Sequence, residues 1–221
     1  LMERFRLVHL PSANSFRFCR RKNTHRRESL LAFAFGSNRT ATLGPLPGTI
    51  LEVDSVGALF PSEQRVLVSS GSMTVAEFAA EASEKDVIHL ATHGVLDPAV
   101  PMESAILLGS TAMPVKEVAA LELRAALVTL SACQTAIGKV YAGDEIVGLT
   151  RAFMYAGTPT VLSSLWPVSD VSCALLMTSF YRHYTSGEAK DEALRAAQIE
   201  LLTKYPSPFH WAPFILTGDW E

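Results

Sequence analysis

With 221 residues, 48% of them hydrophobic, the chain can build one sizeable core and is expected to form a single domain over 1–221, with 1–28 a divergent basic segment. Its longest uninterrupted apolar stretch, Leu30 to Phe35, is too short to span a membrane, nothing near Leu1 resembles a signal peptide, and three cysteines make a poor disulfide framework. The net charge of −3 divides into +7 over residues 1–27 and −10 over the rest. A soluble protein in a reducing, cytoplasmic compartment is expected, and the start at Leu1 fits a piece cut from something longer.

The basic cluster comes first: Arg17, Arg20, Arg21, Lys22, Arg26 and Arg27. It reads as a solvated loop, and nucleic acid is not expected as a direct ligand, because no interleaved aromatic platform or recognised fold signature accompanies the charge. Short runs apolar on both faces follow at Leu30 to Phe35, Arg65 to Val68, Val87 to Ala91, Ala105 to Leu108, Leu127 to Leu130 and Thr160 to Ser164, as in buried, mostly parallel strands. Helical spacing separates them at Thr74 to Ala82, Val115 to Leu121, Asp144 to Ala156, Val171 to Tyr184 and Lys190 to Tyr205, and Ala212 to Leu216 closes the chain as a last strand. The alternation predicts an α/β protein with helices on both faces of a sheet. No repeat of 20 to 50 residues and no Gly-rich phosphate loop is present, so neither a solenoid nor a nucleotide site is expected.

Two strands end in reactive side chains. Val87 to Ala91 runs into Thr92-His93-Gly94, and Leu127 to Leu130 runs into Ser131-Ala132-Cys133. Ligands of parallel α/β sheets collect beyond the carboxyl ends of the strands, and neighbouring strands lie about 4.8 Å apart, so His93 and Cys133 would face one bound peptide if their strands pair. A thiolate is the competent nucleophile and an imidazole can stabilise it or shuttle its proton. Each residue alone has a plainer reading, a small core cysteine and a hydrogen-bonded strand-end histidine.

The motifs Ala91-Thr92-His93-Gly94, Leu130-Ser131-Ala132-Cys133-Gln134-Thr135, Gly143-Asp144-Glu145-Ile146-Val147-Gly148-Leu149 and Ser164-Leu165-Trp166-Pro167-Val168-Ser169-Asp170 together resemble the CHAT domain, a family related to caspases and separases and associated with tetratricopeptide repeats. Leu46-Pro47-Gly48 with Glu52, Leu59-Phe60-Pro61 and the terminal Trp211 to Asp219 extend the resemblance from about His9 to the C-terminus, while Arg17 to Arg27 match no family pattern. It implies a three-layer α/β/α caspase-like fold with a mostly parallel central sheet. It also implies a cysteine endopeptidase with no cofactor that cuts a protein or peptide at a restricted site. His93 and Cys133 would be the catalytic dyad, the backbone N–H groups of Gly94 and Cys133 the oxyanion donors, and a tetratricopeptide-repeat region or partner protein the regulator. A catalytically silent interaction module is the alternative; a thiol oxidoreductase lacks a C-x-x-C pair.

The remaining candidates divide between site and scaffold. His89 shares strand parity with His93 and is expected to be buried and structural, Cys173 is a core residue of a helix, and Cys19 beside Arg20 and Arg21 is either exposed without function or lowered in pKa. His9, His25, His183 and His210 show no metal-ligand spacing, so no structural zinc is expected. Asp144 and Glu145 suit a helix N-terminus rather than catalysis. Trp166 with Pro167 forms either a wall of the substrate cleft or a packing corner. Asp170 either lines a pocket for Arg or Lys before the scissile bond, by analogy with an acidic residue in a Trp-containing segment of separases, or it or Ser169 caps the following helix.

Overall fold

The computed structural model describes residues 2, 4–24, 26–36, 43–95, 97, 99–131, 133–134, 144–166 and 170–221, with the backbone alone at 133–134 and 144–147. In chain order the elements are α1 (Ala13–Lys22), β1 (Leu30–Ala34), α2 (Gly48–Gly57), β2 (Arg65–Val68), α3 (Val75–Ala82), β3 (Val87–Ala91), β4 (His93–Val95), β5 (Ala105–Leu108), β6 (Thr111–Pro114), α4 (Val115–Ala119), β7 (Leu127–Leu130), β8 (Cys133–Gln134), α5 (Asp144–Tyr155), β9 (Thr160–Ser164), α6 (Asp170–Thr185), α7 (Lys190–Lys204), α8 (Pro208–Trp211) and β10 (Phe214–Gly218). The central sheet has the order β10-β9-β7-β3-β1-β2 and is parallel except for the antiparallel edge strand β10. Its inner strands are buried along their whole length, which is why the sequence shows unbroken apolar runs there instead of alternation.

Odd and even positions of those strands feed two cores. Leu31, Phe33, Ile88 and Val128 pack with α3, α4 and α5 on one face, and Leu30, Ala32, Val87 and Leu127 pack with α2, α6 and α7 on the other. The result is a three-layer α/β/α sandwich. A second, four-stranded sheet of order β6-β5-β4-β8 grows from the carboxyl ends of the middle strands. Ala105 to Leu108, expected among the main parallel strands, belongs to this smaller sheet and runs antiparallel to both neighbours. The hairpin turn at Gly109 and Ser110 explains the difference, because two residues between β5 and β6 allow only an antiparallel connection.

The basic segment is not a solvated loop. A Ser12/Ser15 capping box starts α1, whose Phe16 stacks on Trp220 at 4.8 Å while Arg20 bonds Glu221 at 2.6 Å and Asp219 at 3.4 Å. Arg27 lies over the Tyr184 ring and donates to the carbonyls of Tyr184 and Glu188 at 2.7 and 2.9 Å. Arg20 thus ties α1 to the acidic C-terminal residues, and Arg27 ties the segment to the end of α6. Cys19 is correspondingly buried in the core rather than exposed, and burial, followed by the nearby Asp219 charge, pushes its thiol pKa up rather than down.

Candidate active site

The short strand β4 follows β3 past a bend at Thr92, and β8 comes three residues after the end of β7. The register is carried through: Leu90 pairs with Leu130, and three residues on His93 pairs with Cys133 and Gly94 with Gln134. The backbone thus brings the two candidate residues opposite one another at the carboxyl ends of adjacent parallel strands. The Cys133 side chain lies outside the described residues, as do Ala132, Thr135 to Gly143, and Pro167 to Ser169.

His93 is 2% exposed, with its ring edge-on to Phe35 at 4.6 Å. Its Nε2 lies 3.0 Å from the Gly44 carbonyl oxygen. A carbonyl can only accept, so Nε2 carries the proton of that bond. Gly44 belongs to the stretch 43–47 ahead of α2, where Leu43 and Leu46 join Phe35 and Leu107 in a small third core beneath the imidazole. Gly94, the other candidate oxyanion donor, is buried between β5 and β8, paired with Ile106 on one side and Gln134 on the other.

These strands, with β4 and β8 appended to a parallel sheet, fit one family whose model, the CHAT domain, matches residues 1–219. The chain belongs to the CHAT domain family. The match includes the basic segment Arg17 to Arg27, which the sequence motifs alone left unassigned. Among curated proteins, human Tetratricopeptide repeat protein 28 is 27% identical over 273 residues, covering 99% of this chain and 11% of that protein. The mouse protein of the same name is 38% identical over 103 residues, covering 45% of this chain and 4% of its own length. The CHAT chain therefore spans only about a tenth of the human relative or less of the mouse one. Among solved structures, the Arg specific cysteine proteinase gingipain R has a TM-score of 0.65 at 11% identity, over 95% of this chain and 52% of its own. The Saccharomyces cerevisiae separase in its securin complex also has 0.65, at 16% identity over 97% of this chain and 14% of its own. At such identities the likeness shows the caspase-like fold.

Other positions of the CHAT domain resolve into scaffold and edge. His89 is fully buried on the opposite face from β4's small core, its Nε2 3.0 Å from Glu52 Oε1 and its ring edge-on to Tyr181 at 5.4 Å. Burial is as expected, but neither ring nitrogen meets hydrogen-bond alignment among the described residues, so the contact with Glu52 is electrostatic proximity without directed donation. A bend at Thr92 separates the strand that carries His89 from the one that carries His93. Cys173 sits in the core with its sulfur 3.0 Å from Ser131 Oγ. Trp166 is half-buried and donates its indole N–H to the Phe209 carbonyl at 3.2 Å, which ties it to α8.

Ser169, the other candidate cap of α6, lies outside the described residues, and Asp170 is the first residue of that helix. Asp170 Oδ2 accepts the backbone N–H of Gly48 at 3.2 Å, at the start of α2, where Pro47 offers no side-chain cap. Gly48 is required for this approach, since a Cβ there would lie 2.3 Å from the Asp170 Cβ. Sequence reasoning did not find Gly44 or the Asp170–Gly48 contact as parts of the neighbourhood. The Leu46-Pro47-Gly48 motif was the available signal, legible as part of the family resemblance but not as a contact to either residue. Among the described residues no group of three or more His, Cys, Asp or Glu is arranged to hold a metal ion, and no helix is long and apolar enough to cross a membrane.

Proposed function

We propose that the chain is a cysteine endopeptidase in which His93 and Cys133 form the catalytic dyad. The observation that carries this reading is the shared register of β4 and β8, which sets the two residues opposite each other at the carboxyl edge of a caspase-like sheet. The Cys133 thiolate attacks the scissile carbonyl, and the oxyanion that develops is held by the backbone N–H groups of Gly94 and Cys133. His93, its Nε2 anchored on Gly44, passes the proton on Nδ1 to the leaving amine, and water then releases the acyl group from the thioester. Trp166 walls the substrate cleft, and Asp170 receives a basic side chain before the scissile bond through a charge-assisted pair. The Arg specificity named for gingipain R is the same preference on a similar fold. Tetratricopeptide-repeat relatives support control by such repeats or by a partner protein, and three thiols without a disulfide framework suit a reducing, cytoplasmic setting.

The alternative, a silent interaction module on the same fold, draws on the burial of His93, whose ring is almost wholly covered. An electrophilic peptide probe separates the two. Covalent labelling at Cys133 that is lost in His93→Ala supports the dyad, and a folded protein that never labels, with or without its repeat region, supports the module.

A further inference from the structure

Residues 44–48, Gly-Pro-Leu-Pro-Gly, connect two positions that have so far been separate. At one end the Gly44 carbonyl accepts from His93 Nε2, and at the other the Gly48 N–H donates to Asp170 Oδ2. Three residues separate the two contacts, and two of them are prolines, whose rings fix φ and leave the stretch few ways to absorb a displacement. Midway, the Leu46 N–H donates to the Gly36 carbonyl at 2.7 Å, and Thr49 Oγ1 accepts from the Gly36 N–H at 2.9 Å while donating to the Leu46 carbonyl at 2.6 Å. The segment is thus a short, stiff strap pinned to the end of β1, with the imidazole on one end and a carboxylate on the other.

We propose that Asp170 is a positioning residue for His93, acting through the strap 44–48. The proposal rests on the dyad reading above and adds a second task to a residue assigned there only to substrate recognition. The carboxylate fixes Gly48, the prolines relay that position to Gly44, and the Gly44 carbonyl sets the direction of the Nε2–H bond and hence of Nδ1. The relay requires an acceptor at position 170 and not a charge, because the contact is to a neutral backbone N–H. Recognition of a basic side chain would require the charge. The two roles therefore part company between asparagine, which keeps an acceptor oxygen, and alanine, which removes it.

The test is the rate of Cys133 alkylation by iodoacetamide as a function of pH in the full chain, with the modified peptide identified by mass. Asp170→Ala is expected to slow alkylation about tenfold at neutral pH and to move the midpoint of the pH profile toward that of His93→Ala, since a misdirected catalytic group loses reactivity steeply. Asp170→Asn is expected to stay within about threefold of wild type with an unmoved midpoint. Should the alanine variant fail to fold, Asp170→Ser replaces it, because a hydroxyl suits the first turn of α6 but is too short to reach Gly48. A wild-type profile in the alanine or serine variant overturns the proposal, and so does an asparagine variant that falls as far as alanine, which would make the effect one of charge. Failure of the dyad itself reads differently: wild type would then alkylate no faster than His93→Ala.

Discussion

His93 and Cys133 stand opposite each other on β4 and β8 at the register that Leu90 and Leu130 hold on β3 and β7. The main sheet's pairing is thus extended by three residues into the small sheet, and the candidate dyad inherits its alignment from a fully buried strand pair. A site positioned by backbone pairing should survive loss of the side chains it displays. Cys133→Ala is expected to abolish proteolysis with a melting temperature close to wild type. A fall of several kcal/mol, as for a core cavity, would instead assign Cys133 to the packing.

The two histidines should respond in opposite ways. His93→Ala is expected to lower turnover by orders of magnitude at modest cost in stability. His89→Ala leaves the Glu52 carboxylate buried without the imidazole 3.0 Å away, and a loss of about 3 kcal/mol or more is expected with the dyad's intrinsic reactivity retained in the folded fraction. Denaturant unfolding and active-site titration of both variants check this, and equal activity losses in two equally stable proteins would show that the assignment is wrong.

A pH dependence unrelated to catalysis is built into the packing of α6 on α7. His183 Nε2 lies 2.9 Å from Glu200 Oε1 and Nδ1 lies 2.7 Å from Glu188 Oε1, and these hydrogen bonds, Glu200 first, raise the imidazole pKa above its ordinary value. A raised folded-state pKa contributes stability that is fully present below the unfolded value, near 6.5, and is lost as pH rises through the folded value. His183→Gln should therefore lower the melting temperature more at pH 6 than at pH 9. A difference that is flat across this range, or larger at pH 9, would show that the imidazolium contributes nothing to the packing.

Legibility tracked how far each feature depends on contacts distant in sequence. Val87–Ala91, Leu127–Leu130 and Thr160–Ser164 were visible because strands buried on both faces carry short runs rich in apolar residues without alternation, and the edge strand Arg65–Val68 carries the same kind of run. Helix α1 was missed because its basic residues suggest solvation unless Asp219, Glu221 and Trp220, about 200 residues away, are known to face it. Helix α2 was missed for a related reason: it starts at Pro47-Gly48, and its cap comes from Asp170, 122 residues on. In the candidate site, strand-end placement of His93 and Cys133 followed from pattern, whereas the carbonyl that orients His93 belongs to a glycine whose side-chain-free position carries no chemical label.

Substrate preference turns on Asp170. The pocket account survives as chemistry beside a capping contact in which the Asp170 carboxylate accepts the Gly48 N–H at the start of α2. That contact uses Oδ2 and needs only an acceptor, so Asp170→Asn should keep the fold and the strap while removing the negative charge. Wild type is expected to cleave a peptide library with Arg or Lys immediately before the scissile bond, and Asp170→Asn is expected to lose that preference with little change in thermal stability. Because a charge-assisted pair is about twice as strong as a neutral hydrogen bond, the loss should fall on basic substrates and spare neutral ones. Absence of any basic preference in wild type, or its persistence in Asp170→Asn, would leave Asp170 as the cap of α2 and place the specificity pocket elsewhere along the carboxyl edge of the sheet.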